Sequence, residues 1–402
     1  MLKSLFEKYG TGILLAATGV GAGDLITSGL AGLNYGTTLL WTCIFGAFLK
    51  YVLSESISRY QMATNKTILE GITLDIHQSC KWIFLIYLIM WSFFVGAALI
   101  NAAGISLANI IPLFDDYSKN KIFYGISQSI IAIIIVCFFS FEKIERIMSG
   151  LIFIMFVSVI TTSIIFIKEP FQLAKGLFIP SLNKDNLTYA VAVMGGVGGT
   201  LTILSYSYWL KEKNWSGENG LQKSKSDLKS SYILTGLFSI SMIILGSQLS
   251  SYTGPKSSFP IAIAKLFESR FGILGYYIFL IGFWNAVFSS LLGVWQSVPY
   301  LFTDFFHLVT KQEIPRFSES RPYRYYLVAL GIIPIISLWY KFEKIQLAYA
   351  ISGALFIPIL ALVLIILTNK KNMKDSKSSF LQNTFLMLTL IIFAYFGILK
   401  FF

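Results

Sequence analysis

The sequence predicts an all-α polytopic membrane protein with about eleven transmembrane helices. Hydrophobic residues make up 55% of the 402-residue chain and charged residues only 13%, which is about half of the charged share of a soluble domain. The apolar residues also gather into long runs, and about 20 apolar residues in a helix cross a hydrocarbon core about 30 Å thick. A third observation, an internal repeat, predicts how the helices are arranged.

The runs are rich in Ile, Leu and Phe and lack the two-residue alternation of barrel strands, which favours helices. The second run follows the first almost directly, so we expect the first to be a span and not a cleaved signal peptide. Because the spans use up the length, we expect one membrane transport domain over residues 1–402 and no enzyme. The eleven runs cover residues 11–33, 37–60, 82–104, 122–139, 147–168, 188–210, 231–249, 274–303, 324–340, 345–368 and 379–401.

The net charge of +12 comes from basic residues in the loops, and we do not expect the protein to bind nucleic acid. Lys and Arg are more frequent in the segments that lie on the side of the N-terminus, as the positive-inside rule describes for cytoplasmic loops. Basic loops of this kind lie beside anionic lipid. We therefore expect an integral protein of the cell (inner) membrane with a cytoplasmic N-terminus and an outside C-terminus. The lipid bilayer is its expected surrounding, and no obligate protein partner is evident.

An internal repeat pairs the fifth run with the tenth and the first with the sixth. The tetrapeptide FEKI stands at residues 141–144 and 342–345, each time at the start of a span. Glycine clusters stand in the first run ("GVGAGD", residues 19–24) and in the sixth ("MGGVGGTLT", residues 194–202). Units of five spans have opposite orientations, so the pattern predicts inverted repeats. The units are residues 11–168 and 188–368, with an extra C-terminal helix at residues 379–402.

The two glycine clusters predict that helices 1 and 6 are broken near the middle of the membrane. Glycine weakens a helix and frees backbone groups, and freed groups are tolerated in a bilayer only where they face a protein-lined cavity. Small residues in membrane helices also serve close helix packing. Clusters at matching positions of a repeat, one of them with an acid, favour the broken helices over packing alone.

Asp24 is the one acidic residue that the sequence places near the centre of the bilayer. A deep charge costs about 2.5–3.5 kcal/mol on insertion scales, so we expect Asp24 to bind something. One partner is a divalent cation, held by carboxylate, hydroxyl and backbone oxygens. The other is Lys50, at similar depth in the second run. Glu55 and Asp304 lie toward the ends of their runs, where we expect them to reach water.

Longer stretches of the chain resemble the natural-resistance-associated macrophage protein (Nramp) family of metal-ion transporters. "YGTGILLAATGVGAGDLITSGLAGLNYGTTLLW" is similar to the first span of that family. "ATNKTILEG" resembles its A-T-G-K-x-L-A-E loop, and "FEKIERIMSG", "NAVFSSLLGVWQSVPYLFTDF" and "ALFIPI" resemble segments of its fifth, eighth and tenth spans. The resemblance implies the leucine-transporter-type 5+5 inverted repeat with broken helices 1 and 6. It also implies a divalent cation as transported substrate, without a bound cofactor.

The two metal-binding motifs of the family are altered here. Its D-P-G-N falls on residues 21–24, so that Gly21 replaces the metal-binding Asp and Asp24 replaces the Asn. Its M-P-H in span six falls either on Met194-Gly195-Gly196 or on Thr200-Leu201-Thr202. We prefer the second alignment, because it keeps the family's glycine four residues before the ligand, as Gly196.

Under the preferred alignment, Thr200 replaces the thioether and the carbonyl of Val197 or Gly198 lies nearby. Loss of a sulfur ligand weakens discrimination against hard ions such as magnesium. The candidate binding residues are Asp24, Gly21, Thr27, Thr200, Val197, Gly198 and Thr202, with Lys50 as a charge partner.

The sequence leaves three functions open. The first is a secondary transporter of a divalent cation (manganese, magnesium or iron-like) that works by alternating access with a sulfur-poor site. The second is the same scaffold retooled for a small organic solute such as an amino acid, with Asp24 paired to Lys50 or to a substrate ammonium group. The third is a receptor or assembly component with a vestigial site, which the short loops disfavour.

Overall fold

In the part of the chain that the computed structural model describes, every regular element is a helix. It describes the backbone of residues 2–167, 169–249, 252–254 and 258–401. Side chains are described in the same ranges except at residues 2–10, 22–24, 343, 347, 354, 374–375 and 399–401.

All eleven predicted runs form helices, and the first and sixth are interrupted. The α-helices are α1 (Leu2–Gly19), α2 (Ala22–Tyr35), α3 (Leu40–Thr64), α4 (Ile68–Gly71), α5 (Cys80–Ile110), α6 (Tyr117–Phe138), α7 (Phe141–Ile165), α8 (Pro170–Phe178), α9 (Leu187–Gly196), α10 (Ser205–Glu212), α11 (Gly217–Ser247), α12 (Phe259–Thr310), α13 (Arg321–Ile332), α14 (Phe342–Thr368) and α15 (Phe380–Phe401). Shorter turns at Ile72–Ile76, Leu201–Leu204, Phe317–Glu319, Ile333–Trp339 and Lys371–Ser376 extend or join them.

Among the described residues, ten helices or joined helix pairs are long and apolar enough to cross a membrane. The broken pair α1–α2 covers the remaining predicted run. Both copies of FEKI begin a helix, at Phe141 for α7 and at Phe342 for α14. The prediction of an all-α membrane protein is therefore confirmed, while the exact boundaries of the two repeats stay a prediction.

Local side-chain contacts explain where several helices begin. Thr67 caps α4 by accepting a hydrogen bond from the backbone N–H of Glu70, and the Glu70 carboxylate accepts one from the N–H of Thr67. Asp116 caps α6 by accepting a hydrogen bond from the N–H of Ser118, and Ser320 caps α13 by accepting one from the N–H of Tyr323. Side-chain oxygens satisfy N–H groups that have no partner within the helix. Gly272, with φ +65°, divides α12 into two helical parts.

The sequence did not predict α4, α8 or the first part of α12. These pieces are shorter than a span, and the search for long apolar runs does not detect them. In α8, Phe171 is 83% and Phe178 is 79% exposed, as in helices that lie along a membrane interface with apolar side chains toward lipid.

The helices form two packed groups, and the interrupted helices α1 and α2 contact members of both. In the first group, α11 packs against α1, α2 and α3, and α9 packs against α2 and α3. In the second, α12 packs against α5, α7 and α13, and α5 packs against α6 and α14. Helix α1 contacts both groups through α11 and α12, which places its broken end in the interior of the protein.

Candidate functional site

Two helix breaks lie in the middle of the bundle. Residues Val20 and Gly21 separate α1 from α2, and residues 197–200 separate α9 from the turn Leu201–Leu204 that leads into α10. Gly198 and Gly199 have φ angles of +78° and +84°, which residues with a Cβ rarely adopt. The second break therefore depends on this glycine pair.

The two breaks touch each other. A Cβ atom built on Gly19 would lie 2.6 Å from the carbonyl carbon of Gly198, and one on Gly21 would lie 2.9 Å from the Ser290 Oγ. Only glycine leaves room for this approach. The Ser290 hydroxyl donates to the carbonyl oxygen of Thr18 at 2.9 Å, which satisfies an acceptor that the interrupted helix leaves open.

Two donors from other helices occupy oxygen atoms of the second break. The Lys50 ammonium, from α3, donates to the carbonyl oxygen of Gly199. The Trp91 indole N–H, from α5, donates to the Thr200 hydroxyl at 3.2 Å. Lys50 is 1% and Trp91 0% exposed, so that both contacts are removed from water. Side chains from helices that are distant in sequence thus bind two oxygen atoms of the second break.

A cavity of about 430 Å³ lies directly over the breaks. Gly19, Gly21, Gly199, Thr200 and Ser290 lie at the breaks, and Lys184 and Leu187 lie near the start of α9. Hydroxyl and amide groups reach the wall at Thr27, Thr188 and Gln346, and aromatic rings at Tyr349, Phe393 and Phe396. The cavity therefore extends from the beginning of α9 to the middle of the bundle.

The structure brings some of the predicted binding residues together and leaves others apart. Gly21, Thr27 and Thr200 line the cavity. Val197, Gly198 and Thr202 lie in or just after the second break, and they are not among the lining residues that the structure describes. Thr200 lies in the non-helical segment and Met194 within α9, and the choice between the two alignments stays a prediction.

Asp24 is the residue that the sequence predicts as the central ligand of the site. Its backbone belongs to the beginning of α2, immediately after the first break, and its side chain lies outside the described residues. The predicted charge partner Lys50 is buried, as expected from its position, and reaches the second break through Gly199. The role of Asp24 as a ligand remains a prediction.

Sequence reasoning missed Trp91, Tyr349 and Ser290 as site residues. Trp91 and Tyr349 stand in apolar runs where no local pattern separates them from lipid-facing aromatics. The sequence did offer a reason to select Ser290 as a site residue, because its Ser-Ser pair lies in a stretch that resembles the family's eighth span. The structure adds it to the site by placing its hydroxyl against the first break, beside Thr18 and Gly21.

The expectation that Glu55 and Asp304 reach water is wrong. Glu55 is 2% and Asp304 0% exposed. Glu55 pairs with Arg59 at 2.5 Å, while Asp304 accepts hydrogen bonds from the hydroxyls of Thr67 and Tyr208, both at 2.6 Å. The segment with α4 and the half-helix α10 cover Asp304, and this cover depends on contacts between residues far apart in the chain.

The half-helix α10 is held in place by several polar contacts on the side of the breaks away from the cavity. Its backbone also accepts a hydrogen bond from Gln61 of α3, at the carbonyl of Ser207 (2.8 Å). Such contacts fix α10 against both helix groups and close this end of the bundle. The side-chain contacts are Tyr206 with Asp227 (2.8 Å), Tyr208 with Asp304 (2.6 Å), Trp209 with Gln296 (2.7 Å) and Lys213, next to α10, with Glu145 (2.7 Å).

Among the described residues, no group of three or more His, Cys, Asp or Glu side chains is arranged to hold a metal ion. The described cavity wall also contains no Met or Cys. The described wall offers hydroxyl, amide and backbone oxygens, which are hard ligands.

Known proteins resemble this chain both in sequence and in structure. The model of the family "Natural resistance-associated macrophage protein-like" matches residues 12–401. A relative in Dictyostelium discoideum, described as a metal transporter nramp1 homolog, is 22% identical over 307 residues, which are 73% of this chain. The match spans 56% of that relative's own length.

Solved structures match the fold over almost the whole chain. A mutant of the manganese transporter of Eremococcus coleocola has a TM-score of 0.80 at 17% identity, with 99% of this chain and 87% of that chain covered. MhsT in complex with L-phenylalanine has a TM-score of 0.68 at 15% identity, with 98% of both chains covered. At these identities the likeness shows the fold alone, and it confirms the leucine-transporter-type 5+5 inverted repeat.

The family match covers far more than half of the chain, and it agrees with the resemblance of the first, fifth, eighth and tenth spans. Members of this family are integral membrane transporters and not enzymes. The chain therefore belongs to the Nramp family.

Proposed function

We propose that the protein is a secondary transporter that carries a divalent metal cation, of the manganese, magnesium or iron kind, across the membrane. The observation that carries this proposal is the meeting of two broken helices at the floor of a cavity. Broken helices near the midplane present backbone oxygens and helix ends to a transported ion. The relatives described as metal and manganese transporters support the same class of substrate.

The proposed mechanism is alternating access. The cavity extends from the breaks toward the start of α9, whereas α10 closes the opposite end through its polar contacts. We place the N-terminus in the cytoplasm, so that the cavity faces outward and α10 forms the inner closure. Movement of α10 away from α12 would then expose the breaks to the cytoplasm.

The contact between Tyr208 and Asp304 offers a test of this closure. In a background in which the native cysteines are replaced by serine, Ser205→Cys places a thiol at the buried first residue of α10. Adding Tyr208→Phe removes one hydrogen bond of about 1 kcal/mol net, so we expect roughly five-fold faster thiol labelling from the cytoplasmic side. The control is Tyr325→Phe, a 72% exposed tyrosine of α13. Equal labelling rates in all three proteins would contradict the assignment of α10 as the closure.

Ion competition tests the sulfur-poor site. Purified protein in liposomes should take up Mn²⁺, and Mg²⁺ in excess should slow this uptake, because oxygen ligands do not separate these ions strongly. We expect Cd²⁺, which prefers sulfur, to compete less well than it does against a transporter with a thioether ligand. Protein-free liposomes give the background. A site at which Cd²⁺ displaces Mn²⁺ at equal or lower concentration would contradict the proposed ligand set.

A small organic solute remains the second candidate cargo, and the size of the cavity favours it. About 430 Å³ falls in the usual range for small-molecule pockets, roughly 300–1,000 Å³. Aromatic rings at Tyr349 and Phe393, with Lys50 beneath the floor, would suit an amino acid better than a bare ion. Uptake of labelled amino acids without uptake of Mn²⁺ would show that the cargo is an organic solute and not a metal ion.

A further inference from the structure

The C-terminal helix α15 (Phe380–Phe401) follows both predicted repeats and still forms part of the cavity wall. Phe393, Phe396 and Gly397 of this helix are lining residues. In transporters that are built from two repeats, the cargo site lies where the repeats meet. A contribution from an additional helix is therefore not required by the fold, and it calls for an explanation.

The first half of α15 is fixed to the rest of the protein by specific contacts. The Gln382 amide donates to the carboxylate of Glu55, a buried residue of α3, at 2.7 Å. The rings of Phe48, also on α3, and Phe385 meet edge to face with their centroids 4.6 Å apart. These contacts hold α15 against α3, in addition to its packing against α14.

The second half of α15 reaches the half-helix α9 close to the second break. A Cβ atom built on Gly195 would lie 3.1 Å from the ring of Phe393, so a side chain at residue 195 would press on this ring. Gly195 belongs to the last turn of α9 and also lines the cavity. Phe393 is only 3% exposed. Its ring therefore packs against the end of α9 and forms part of the cavity wall at the same time.

The two sides of α15 have different surroundings. Phe393 and Phe396 lie on the cavity side. Ile391, Tyr395 and Ile398 are exposed on the surface of the protein, and their spacing of four and three residues places them on one face of the helix. Because this face belongs to a helix that is long and apolar enough to cross a membrane, it faces lipid. Helix α15 thus separates the cavity from the lipid.

We propose that α15 is a wall of the cargo pathway and that its rings of Phe393 and Phe396 limit the size of the cation that reaches the helix breaks. The size limit rests on the proposed transport of a divalent cation. Phenyl rings are bulky and carry no ligand oxygen, so they restrict the space without binding a metal ion. The contacts of α15 with α3 and α9 keep the rings in place.

The first test measures whether water reaches each side of α15. In the background without native cysteines, Phe396→Cys places a thiol on the cavity side, and Tyr395→Cys places one on the lipid side at nearly the same depth. A charged methanethiosulfonate reagent is added on both sides of liposomes that contain the intact protein. We expect Phe396→Cys to be labelled at least about ten-fold faster than Tyr395→Cys, because the reagent attacks the thiolate, which requires water.

The second test measures the size limit. Phe396→Ala removes the ring, and Tyr395→Ala is the matched control on the lipid side. Tetraethylammonium, a cation larger than a metal ion, is added as a competitor of Mn²⁺ uptake into liposomes. We expect it to inhibit the Phe396→Ala protein at a concentration at least about ten-fold lower than the parent, because a pocket enlarged by several carbon atoms admits it. The Tyr395→Ala protein should behave like the parent.

Each test has a result that contradicts the inference. Equal labelling rates of Phe396→Cys and Tyr395→Cys would show that α15 is not a wall of a water-filled pathway. Unchanged inhibition by tetraethylammonium in the Phe396→Ala protein overturns the size limit, and Phe396→Leu takes its place if the alanine variant does not fold. If the parent takes up no Mn²⁺, the proposed function is wrong and the size limit falls with it, whereas the labelling rates still decide whether α15 is a wall.

Discussion

Replacing Asp24 by asparagine is expected to lower divalent-cation uptake by about 100-fold or more, because a charge-assisted ligand contributes roughly 3 kcal/mol. Asp24 follows the first helix break directly, at the beginning of α2, where the positive end of the helix dipole also favours an anion. Asparagine has the same shape but no charge. The measurement is the initial rate of Mn²⁺ uptake into proteoliposomes that contain equal amounts of parent and variant protein.

Two further variants make this experiment specific. Asp24→Ala removes the oxygen ligands altogether and should be at least as inactive, with an unchanged melting temperature in detergent. Asp115→Asn changes an exposed carboxylate in the connection between α5 and α6 and should leave uptake unaltered. If Asp24→Ala transports manganese and magnesium like the parent, Asp24 is not the ligand and the metal site must be sought elsewhere.

The second large effect is expected from Gly198→Ala. Gly198 has φ +78°, and an added Cβ would lie 2.5 Å from the ring of Tyr232 on α11. A left-handed conformation costs a residue with a Cβ about 1–2 kcal/mol, and crowding in a packed interior costs about 1–3 kcal/mol more. We therefore expect a clearly lower melting temperature and a strong loss of uptake, because the second break can no longer keep its shape beside Gly19.

Variants at two other glycines distinguish the cost of the backbone conformation from the cost of crowding. Gly272 has φ +65° and no atom within 4 Å of an added Cβ, so Gly272→Ala should carry the backbone penalty without crowding. Gly150, in α7, has neither a positive φ nor a near neighbour, and Gly150→Ala should be neutral or slightly stabilising. A Gly198→Ala protein that melts and transports like the Gly150→Ala protein would show that the break tolerates a side chain.

The closure at α10 illustrates what could not be predicted from the sequence. Tyr208, Thr67 and Asp304 come from three separate segments, and their hydroxyl and carboxylate groups meet only after α4 and α10 pack against α12. Each of these residues alone resembles an ordinary loop or span-end residue. Asp304 was expected near water for this reason, although the structure buries it completely.

The sequence by itself determined the fold class, the apolar runs that form the helices, the positions of both helix breaks and the family. Apolar length, glycine clusters and the FEKI repeat are local features, and each acts on the segment in which it stands. It also named Asp24 and Lys50 as the charges deep in the spans, although the role of Asp24 is still untested.

Only the tertiary structure decided which groups meet. It brought Gly19 against Gly198, Trp91 to Thr200 and Lys50 to Gly199, and it opened the cavity on one side of the breaks while α10 closed the other. The physical reason is that these contacts join residues on different helices. Their distances follow from how helices pack, which hydropathy along a single segment does not encode.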